Sequence, residues 1–157
     1  MFLRSLKISK EFNEIIKKDI FLFKEQWKKD LKNVKALTSG FNPSYSFFDI
    51  LKKDLTQALS EITKIKLKPS TWWANYYEVG HFADPHIHRP EYISSIIFIK
   101  IDETNPLYFD LNPGILNVEE EEGLILSFDS NLLHGVKPCK NSRITLAMDF
   151  VKDEWVL

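Results

Sequence analysis

Apolar residues recur at three- and four-residue steps in the first third of the chain, which is the period of an amphipathic helix. The pattern predicts one helix over 9–33, with Ser9 as its N-cap because a hydroxyl there accepts from a free backbone amide. Gly40 ends the pattern, and Asn42-Pro43 restarts it with a capping residue and a proline in the first turn. The first apolar stripe is Phe12, Ile15, Ile16, Ile20, Phe23, Trp27 and Leu31. The second is Phe47, Leu51, Leu55, Ala58 or Leu59, and Ile62.

From about residue 63 the period changes to two, the period of β-strands. Seven or eight short segments rich in β-branched and aromatic residues follow, with turn signals and no helix between them. They include 71–79, 91–101, 107–109, 115–118, 124–128 and 143–150. Such a series favours an antiparallel sandwich or barrel. We therefore predict a mainly β fold, a double-stranded β-helix (a cupin-like jelly roll) with two N-terminal α-helices packed on its outside. The whole of 1–157 is expected to be one domain, helical in 1–62 and jelly roll in 63–157.

The last predicted strand carries two different faces. Ile144, Leu146, Met148 and Phe150 occupy its even positions, and Arg143, Thr145, Ala147 and Asp149 its odd positions. Alternate residues of a strand point to opposite sides of a sheet. The even face is expected to pack on the N-terminal helices. The odd face is either solvated or lines a cavity that small residues keep free for a ligand.

Composition narrows the class of protein. Apolar residues make up 44% and charged residues 27% of the 157 residues, which is ordinary for a globular domain. No apolar run approaches the roughly 20 residues that span a bilayer, and the N-terminus lacks the pattern of a secretory signal. Cys139 is the only cysteine, so no disulfide forms within the chain. These features predict a cytoplasmic protein without a membrane partner.

The net charge of −1 conceals an uneven distribution. Basic residues outnumber acidic ones by 15 to 8 in 1–68, whereas acidic residues outnumber basic ones by 14 to 6 in 69–157. The lysines of the first part alternate with apolar residues at helical spacing, which is typical of a solvated helix face. We therefore predict no nucleic-acid binding. The acidic run 119–122 is expected to be a solvated turn.

Three of the four histidines lie close together in the sequence, at His81, His86 and His88. In an extended chain, the residues of His86-x-His88 share a face, and two imidazoles so placed can bind one ion through bonds of about 2.0–2.1 Å. An exposed loop pair is the alternative. His134 follows a later apolar strand and is either a capped surface histidine or a third ligand. A catalytic role for Cys139 is disfavoured because no oriented base accompanies it.

The order of these motifs resembles the 2-oxoglutarate- and Fe(II)-dependent oxygenases. It is most similar to the small prolyl-hydroxylase-like members common in phages and marine bacteria, over residues 72–150. The nine-residue spacing from His134 to Arg143 is the most specific part of the resemblance. The motifs, in order, are Tyr77-x-x-Gly80, His86-x-His88, Leu107-Tyr108-Phe109-Asp110, Gly123-Leu124-Ile125-Leu126-Ser127-Phe128, His134-Gly135-Val136-Lys137-Pro138 and Arg143-Ile144-Thr145-Leu146.

The resemblance implies a role for each matching residue. His86 and His134 would bind Fe(II), and Arg143 would bind the far carboxylate of the cosubstrate 2-oxoglutarate. Tyr77 or Tyr76 stands where such enzymes often carry a tyrosine that contacts the cosubstrate. Thr145, like Ala147, would be small because the cosubstrate and metal occupy the interior.

One position departs from the family. The third metal ligand is usually a carboxylate two residues after the first histidine, and here it is His88. We expect His88 to bind the metal directly. The alternative is that His88 lies outside the coordination sphere, which water or a carboxylate such as Asp84 then completes.

The expected function is that of a 2-oxoglutarate- and Fe(II)-dependent dioxygenase that uses O₂ to hydroxylate a C–H bond of a peptide or small-molecule substrate. Two alternatives remain open. One is a cupin-like three-histidine dioxygenase that needs no 2-oxoglutarate. The other is a jelly-roll module with a binding or structural role, for instance in a virion. Arg143 discriminates among them, because only the first function needs an arginine beside the metal. The oligomeric state is left open.

Overall fold

The computed structural model describes residues 2–29 and 33–154. Within them the chain forms two α-helices, α1 (Lys10–Phe23) and α2 (Ser46–Thr63), a 3-10 helix (Lys24–Gln26) and twelve strands. Neither described α-helix is long and apolar enough to cross a membrane. Strands β1 to β12 are, in chain order, Phe2–Lys7, Lys28–Lys29, Val34–Lys35, Leu37–Thr38, Leu67–Tyr77, Phe82–His86, Ile93–Lys100, Leu107–Asp110, Ile115–Asn117, Leu124–Asp129, His134–Val136 and Arg143–Lys152.

The strands form two antiparallel sheets that pack face to face as a jelly roll, which confirms the predicted fold class. In the described residues the larger sheet has the order β1-β10-β7-β12-β5-β4-β2, and the smaller has the order β3-β6-β11-β8-β9. Strand β12 lies inside the larger sheet, paired along its length with β5 and β7. It is therefore covered on both edges and both faces, as its nearly continuous burial requires.

The two faces of β12 belong to two different interiors. Its even residues, from Ile144 to Phe150, join a core formed with α1 and α2 on the outer side of the larger sheet. The predicted contact between this face and the helices is confirmed. Its odd residues Arg143, Thr145, Ala147 and Asp149 point between the sheets and are each at most 7% exposed. The odd face is thus not solvated, and it lines a cavity instead.

A second apolar core fills the space between the sheets and closes the jelly roll. The rings of Phe109 and Phe128 meet edge to face with their centroids 4.8 Å apart. Its members come from both sheets and include Tyr77, Ala83, Phe98, Leu107, Phe109, Leu124, Leu126, Phe128 and Val136. This core holds the strands of the smaller sheet at a fixed distance from β12.

The prediction of the first helix is confirmed at its N-terminus, but the predicted C-terminus is wrong. The Ser9 hydroxyl accepts a hydrogen bond from the Phe12 amide at 3.1 Å, so the predicted N-cap is confirmed. The helix ends at Phe23 rather than at 33, because the chain turns to pair Lys28–Lys29 with β4 at the sheet edge. Edge pairing there outweighs the continued helical pattern. Leu31, the last residue of the predicted stripe, lies outside the described residues.

The second predicted helix begins later than expected. Its first residue is Ser46, and Asn42 does not cap it. The Asn42 side chain instead accepts from the Trp72 amide at 3.0 Å, which fastens this loop to β5. Two residues of the predicted stripes face away from the core, since Ile15 is 56% and Ile62 46% exposed.

The sequence patterns missed the N-terminal strand β1, the two-residue strands β2 to β4, and strands β6 and β11. Strands β6 and β11 contain Pro85 and Gly135, residue types that are uncommon in strands, so their segments resemble turns. Both carry candidate metal ligands at an end. The missed elements therefore matter more to the site than to the core.

Adjacent isoleucines in α1 provide a matched test of this packing. Ile16 is fully buried between α1 and the sheet, whereas Ile15 is largely exposed. We expect Ile16→Ala to lower the free energy of unfolding by about 2–5 kcal/mol and Ile15→Ala to change it by less than about 0.5 kcal/mol. Urea denaturation of both variants measures the difference. Equal losses would contradict the helix orientation.

Candidate active site

Three histidines meet at one end of the space between the sheets. His86 ends β6 and His134 begins β11, and the register of the two strands places them directly opposite each other. His88 follows two residues later, where its backbone amide donates to the Ser130 carbonyl at 2.9 Å. The candidate ligand atoms of the three side chains all lie within 4.8 Å of one another. The sequence-predicted set His86, His88 and His134 is therefore brought together around one point.

Backbone carbonyls fix the orientation of two of these rings. His86 Nδ1 lies 2.7 Å from the Asp84 carbonyl oxygen, and His134 Nδ1 lies 2.8 Å from that of Leu132. A carbonyl only accepts, so Nδ1 carries the proton in both rings. Each Nε2 is then left with the lone pair that a metal ion needs.

A buried carboxylate fixes the third ring. His88 Nδ1 lies 2.9 Å from Asp149 Oδ2, and the Ser94 hydroxyl donates to Asp149 Oδ1 at 2.7 Å. Asp149 is only 4% exposed. The carboxylate accepts a hydrogen bond from Nδ1–H, so in the neutral ring Nε2 carries the lone pair. A carboxylate in this position also makes an imidazole a stronger metal ligand.

Burial favours the uncharged form of two of these imidazoles, those of His86 and His134. Burial lowers the pKa of His134 to about 3, and the neighbouring His86 adds to this effect. Burial also lowers the pKa of His86. Neutral imidazole is the form that binds metal, so no proton has to be displaced from His134 at neutral pH.

The histidines open onto a cavity between the sheets. The odd face of β12 forms one wall, where Thr145 and Ala147 leave the space between Arg143 and the histidines free. Trp73 stacks on the His88 ring with centroids 5.7 Å apart. The lining residues, besides the histidines, include Asn75, Tyr77, Ser94, Ser95, Phe128, Val136 and Asp149. The cavity is thus apolar at its walls with polar groups at defined places.

Unpaired polar atoms concentrate in this cavity. Among the side chains that the structure describes, five buried polar atoms lack a hydrogen-bond partner. Three of them belong to residues that line the cavity, namely His88 Nε2, Arg143 Nη2 and Asn75 Oδ1. Buried polar groups in folded proteins are nearly always paired. A polar ligand in the cavity would supply the missing partners.

Arg143 is held by a carboxylate that the sequence interpretation misplaced. Its Nε donates to Glu120 Oε1 at 2.7 Å, and both side chains are at most 1% exposed. Glu120 Oε2 accepts from the Leu107 amide at 3.3 Å. The prediction of a solvated turn holds for Glu119, Glu121 and Glu122, which are exposed, and is wrong for Glu120.

The two candidate tyrosines face opposite sides. Tyr77 pairs with Arg143 across β5 and β12 and lies against its guanidinium, 4.9 Å from ring centroid to Cζ. Burial raises the pKa of Tyr77 to about 12, so its hydroxyl keeps its proton. Tyr76 pairs with Ile144 and packs in the core beneath the helices, away from the cavity. Tyr77 therefore lines the cavity with Arg143, whereas Tyr76 lies on the opposite side of the larger sheet.

Two other residues considered from the sequence, Asp84 and Cys139, do not join the histidine cluster. The carboxylate of Asp84 is exposed and lies 3.9 Å from Lys35 Nζ, so it does not join the histidine cluster. The Cys139 thiol is buried, and burial raises its pKa to about 11, which agrees with the expectation that it is not a nucleophile.

Sequence reasoning gave no role to Asp149, Asn75 or Glu120. Strand alternation already placed Asp149 on the same face as Arg143, and Asn75 pairs with Thr145 across β5. The positions of Asp149 and Asn75 on the cavity side could therefore have been predicted from the alternation of the strands. Glu120 carried no such signal, because it is one of four consecutive acidic residues in a loop.

Comparisons with known proteins identify the fold. No protein-family model and no curated protein matches the sequence. A prolyl-4-hydroxylase from Pseudomonas putida superposes with a TM-score of 0.79 at 14% identity, over 96% of this chain and 92% of that one. A viral collagen prolyl hydroxylase from Paramecium bursaria Chlorella virus-1 gives a TM-score of 0.73 at 13% identity, over 95% and 94% of the two chains. A prolyl hydroxylase from Trichoplax adhaerens gives 0.73 at 11% identity, over 98% of this chain and 84% of that one. The chain therefore has the jelly-roll fold of the prolyl-hydroxylase-like 2-oxoglutarate and Fe(II) oxygenases.

The lowered pKa of His134 predicts how the metal-free protein responds to acid. Below the ordinary histidine pKa of 6.5, the unfolded chain takes up a proton that the folded His134 does not take up until about pH 3. Stability is therefore present above pH 6.5 and is lost as the pH falls through this window. From pH 7 to pH 5, His134 should account for a loss of about 2 kcal/mol in the free energy of unfolding.

Urea denaturation in the presence of a chelator measures this loss in the wild type, His134→Gln and His81→Gln. His81 lies outside the cluster and serves as the matched control. Of the two variants, only His134→Gln should show a smaller loss in the free energy of unfolding between pH 7 and pH 5 than the wild type. An unchanged dependence in that variant would show that His134 is not buried in the neutral form.

Proposed function

We propose that this protein is a 2-oxoglutarate- and Fe(II)-dependent dioxygenase in which His86, His88 and His134 bind the iron and Arg143 binds the cosubstrate. One observation carries the proposal. Three imidazoles with free Nε2 lone pairs and an arginine with an unpaired Nη2 line the same cavity between the sheets. A jelly-roll module with only a structural role has no need for this combination.

The donor set suits the metal. Three imidazole nitrogens are suitable ligands for Fe(II), which His86, His88 and His134 would hold. Bound Fe(II) supplies the redox chemistry that couples decarboxylation of 2-oxoglutarate to oxidation of a C–H bond. The chain's own part is to hold the three rings in place through Asp84, Leu132 and Asp149. Burial also keeps His86 and His134 neutral.

Arg143 supports 2-oxoglutarate over a cosubstrate-free mechanism. A guanidinium binds a carboxylate through charge-assisted hydrogen bonds, and the unpaired Nη2 is such a donor. The Tyr77 hydroxyl and Thr145 border the same end of the cavity and can complete the carboxylate's partners. A three-histidine dioxygenase that uses no keto acid has no group for this arginine to bind.

A groove beside the histidines supports a peptide or other modest-sized substrate. It opens to solvent and reaches His86 and His88. Phe41 and Trp73 meet edge to face on its wall with centroids 5.4 Å apart. The Trichoplax adhaerens neighbour was solved with a peptide fragment of hypoxia inducible factor, and the viral neighbour is a collagen prolyl hydroxylase, so proteins of this fold accept peptides.

Turnover of the cosubstrate tests the proposed activity. Protein supplied with Fe(II), 2-oxoglutarate, air and ascorbate should form succinate slowly even without a substrate, because ascorbate supplies the two electrons that the substrate C–H bond would otherwise give. Succinate should disappear when iron is withheld or when His134→Ala replaces the wild type. Detection of succinate by mass spectrometry measures this. An iron-loaded protein that forms none and binds no 2-oxoglutarate would contradict the proposal.

Arg143 is tested together with its partner, because Arg143→Met alone would leave Glu120 as a buried unpaired carboxylate. Compared with the single variant Glu120→Gln, the double variant Arg143→Met/Glu120→Gln should bind 2-oxoglutarate more weakly by about 1.5–3 kcal/mol, as expected for a lost contact to a charged group. Its metal affinity should change little. Calorimetry on Mn(II)-loaded protein measures both quantities, and equal 2-oxoglutarate affinity of the double and single variants would remove Arg143 from the site.

His88 is tested by metal affinity. His88→Ala should bind metal at least about tenfold more weakly, a loss on the order of 1.4 kcal/mol. His81→Ala is the matched control and should bind as the wild type does. Equal affinity of His88→Ala and wild type in a metal titration would place His88 outside the coordination sphere.

A further inference from the structure

We propose that Glu120 positions Arg143 and tunes the cosubstrate site, holding the guanidinium by its Nε edge while cancelling its charge. Glu120 would thereby lower the affinity for 2-oxoglutarate and for succinate, the dicarboxylate product. This inference rests on the proposed function. It assigns a role to a buried carboxylate that binding of the metal and the substrate does not use.

Glu120 occupies one edge of the guanidinium and leaves the other edge open for a ligand. Glu120 takes the Nε hydrogen at 2.7 Å, while Nη2 has no partner in the structure. Glu120 is itself fixed from two sides, since its Oε2 accepts from the Leu107 amide and its own amide donates to Asn105 Oδ1 at 2.9 Å. The arginine is thus anchored on one edge and left available on the other.

The second effect of Glu120 is to cancel the charge of Arg143, because no other charged group does so among the described residues. The other titratable groups that interact with Arg143 are Tyr77 and Cys139, and burial raises the pKa of each, to about 12 and about 11. Both are uncharged at neutral pH. Glu120 is therefore the counter-charge of Arg143 among the described residues, and the pair is neutral in a site almost without solvent.

The far carboxylate of 2-oxoglutarate must share Arg143 with this counter-charge. Two carboxylates beside one guanidinium repel each other, and burial leaves that repulsion unscreened. The affinity for the dianion is then lower than Arg143 alone would give. Succinate carries the same far carboxylate, so the same repulsion favours its release after turnover.

Glu120→Gln separates the two effects of Glu120. The Gln carbonyl still accepts from Nε, so Arg143 keeps its anchor while the negative charge disappears. Only the longer contact with the Leu107 amide, 3.3 Å in the wild type, is lost. Glu120→Ala removes both the charge and the anchor. The exposed neighbour Glu119→Gln is the matched control, since it makes the same chemical change outside the site.

The experiment is calorimetric titration of Mn(II)-loaded protein with 2-oxoglutarate, succinate and 2-oxobutyrate, a keto acid without the far carboxylate. Glu120→Gln should bind 2-oxoglutarate and succinate at least about threefold more tightly than the wild type, and 2-oxobutyrate equally well. Glu120→Ala should bind 2-oxoglutarate more weakly than the wild type. Glu119→Gln should match the wild type for all three ligands.

Opposite results overturn the inference. It fails if Glu120→Gln binds 2-oxoglutarate no more tightly than the wild type, or if its affinity for 2-oxobutyrate rises equally. If Glu120→Gln does not fold, Glu120→Asp decides, because it keeps the charge and withdraws the oxygen from Nε. It should weaken 2-oxoglutarate binding, and tighter binding overturns the inference. Wild-type protein that binds metal but no 2-oxoglutarate contradicts the proposed function itself, an outcome distinct from these.

Discussion

Strand β12 packs against the helices on one face and lines the cavity between the sheets on the other, and the rest of the structure depends on this constraint. Its even residues need apolar partners, which α1 and α2 provide on the outer side of the larger sheet. Its odd residues need partners for a guanidinium and a carboxylate, which the space between the sheets provides through Glu120, Ser94 and His88. A one-residue slip of β12 would exchange the two faces and bury charge among the apolar side chains of the helices. The alternation thus fixes the register of the sheet and the contents of the cavity together.

The charges of the site explain how it accommodates a third histidine. In the family that the sequence resembles, the third ligand is a carboxylate. Here His88 takes that position, and Asp149 lies directly behind it with an oxygen 2.9 Å from Nδ1. A negative charge is therefore still next to the proposed metal, one side chain further out. Glu120 balances Arg143 at the other end, so the cavity carries one more carboxylate than guanidinium before any ligand enters.

The sequence was sufficient for the parts of this account that depend on periodicity. Alternation along 143–150 predicted both faces of β12, and the His86-x-His88 spacing predicted that both rings would point the same way. The helix 9–33 was overextended because its apolar period continues past Phe23, where pairing at the sheet edge takes over. Glu120 was misplaced for a related reason. Its burial depends on Arg143, 23 residues later, and no local pattern reports a contact between a loop and a strand.

The central claim is that the free Nε2 atoms of His86, His88 and His134 and the unpaired edge of Arg143 serve one ligand pair. A crystal structure of the protein with Fe(II) and 2-oxoglutarate, grown without oxygen, tests it most directly. The account predicts one iron bound by all three Nε2 atoms, with the keto acid on the iron and its far carboxylate on Arg143 Nη2. An ion bound elsewhere, or a keto acid whose far carboxylate avoids Arg143, would contradict it.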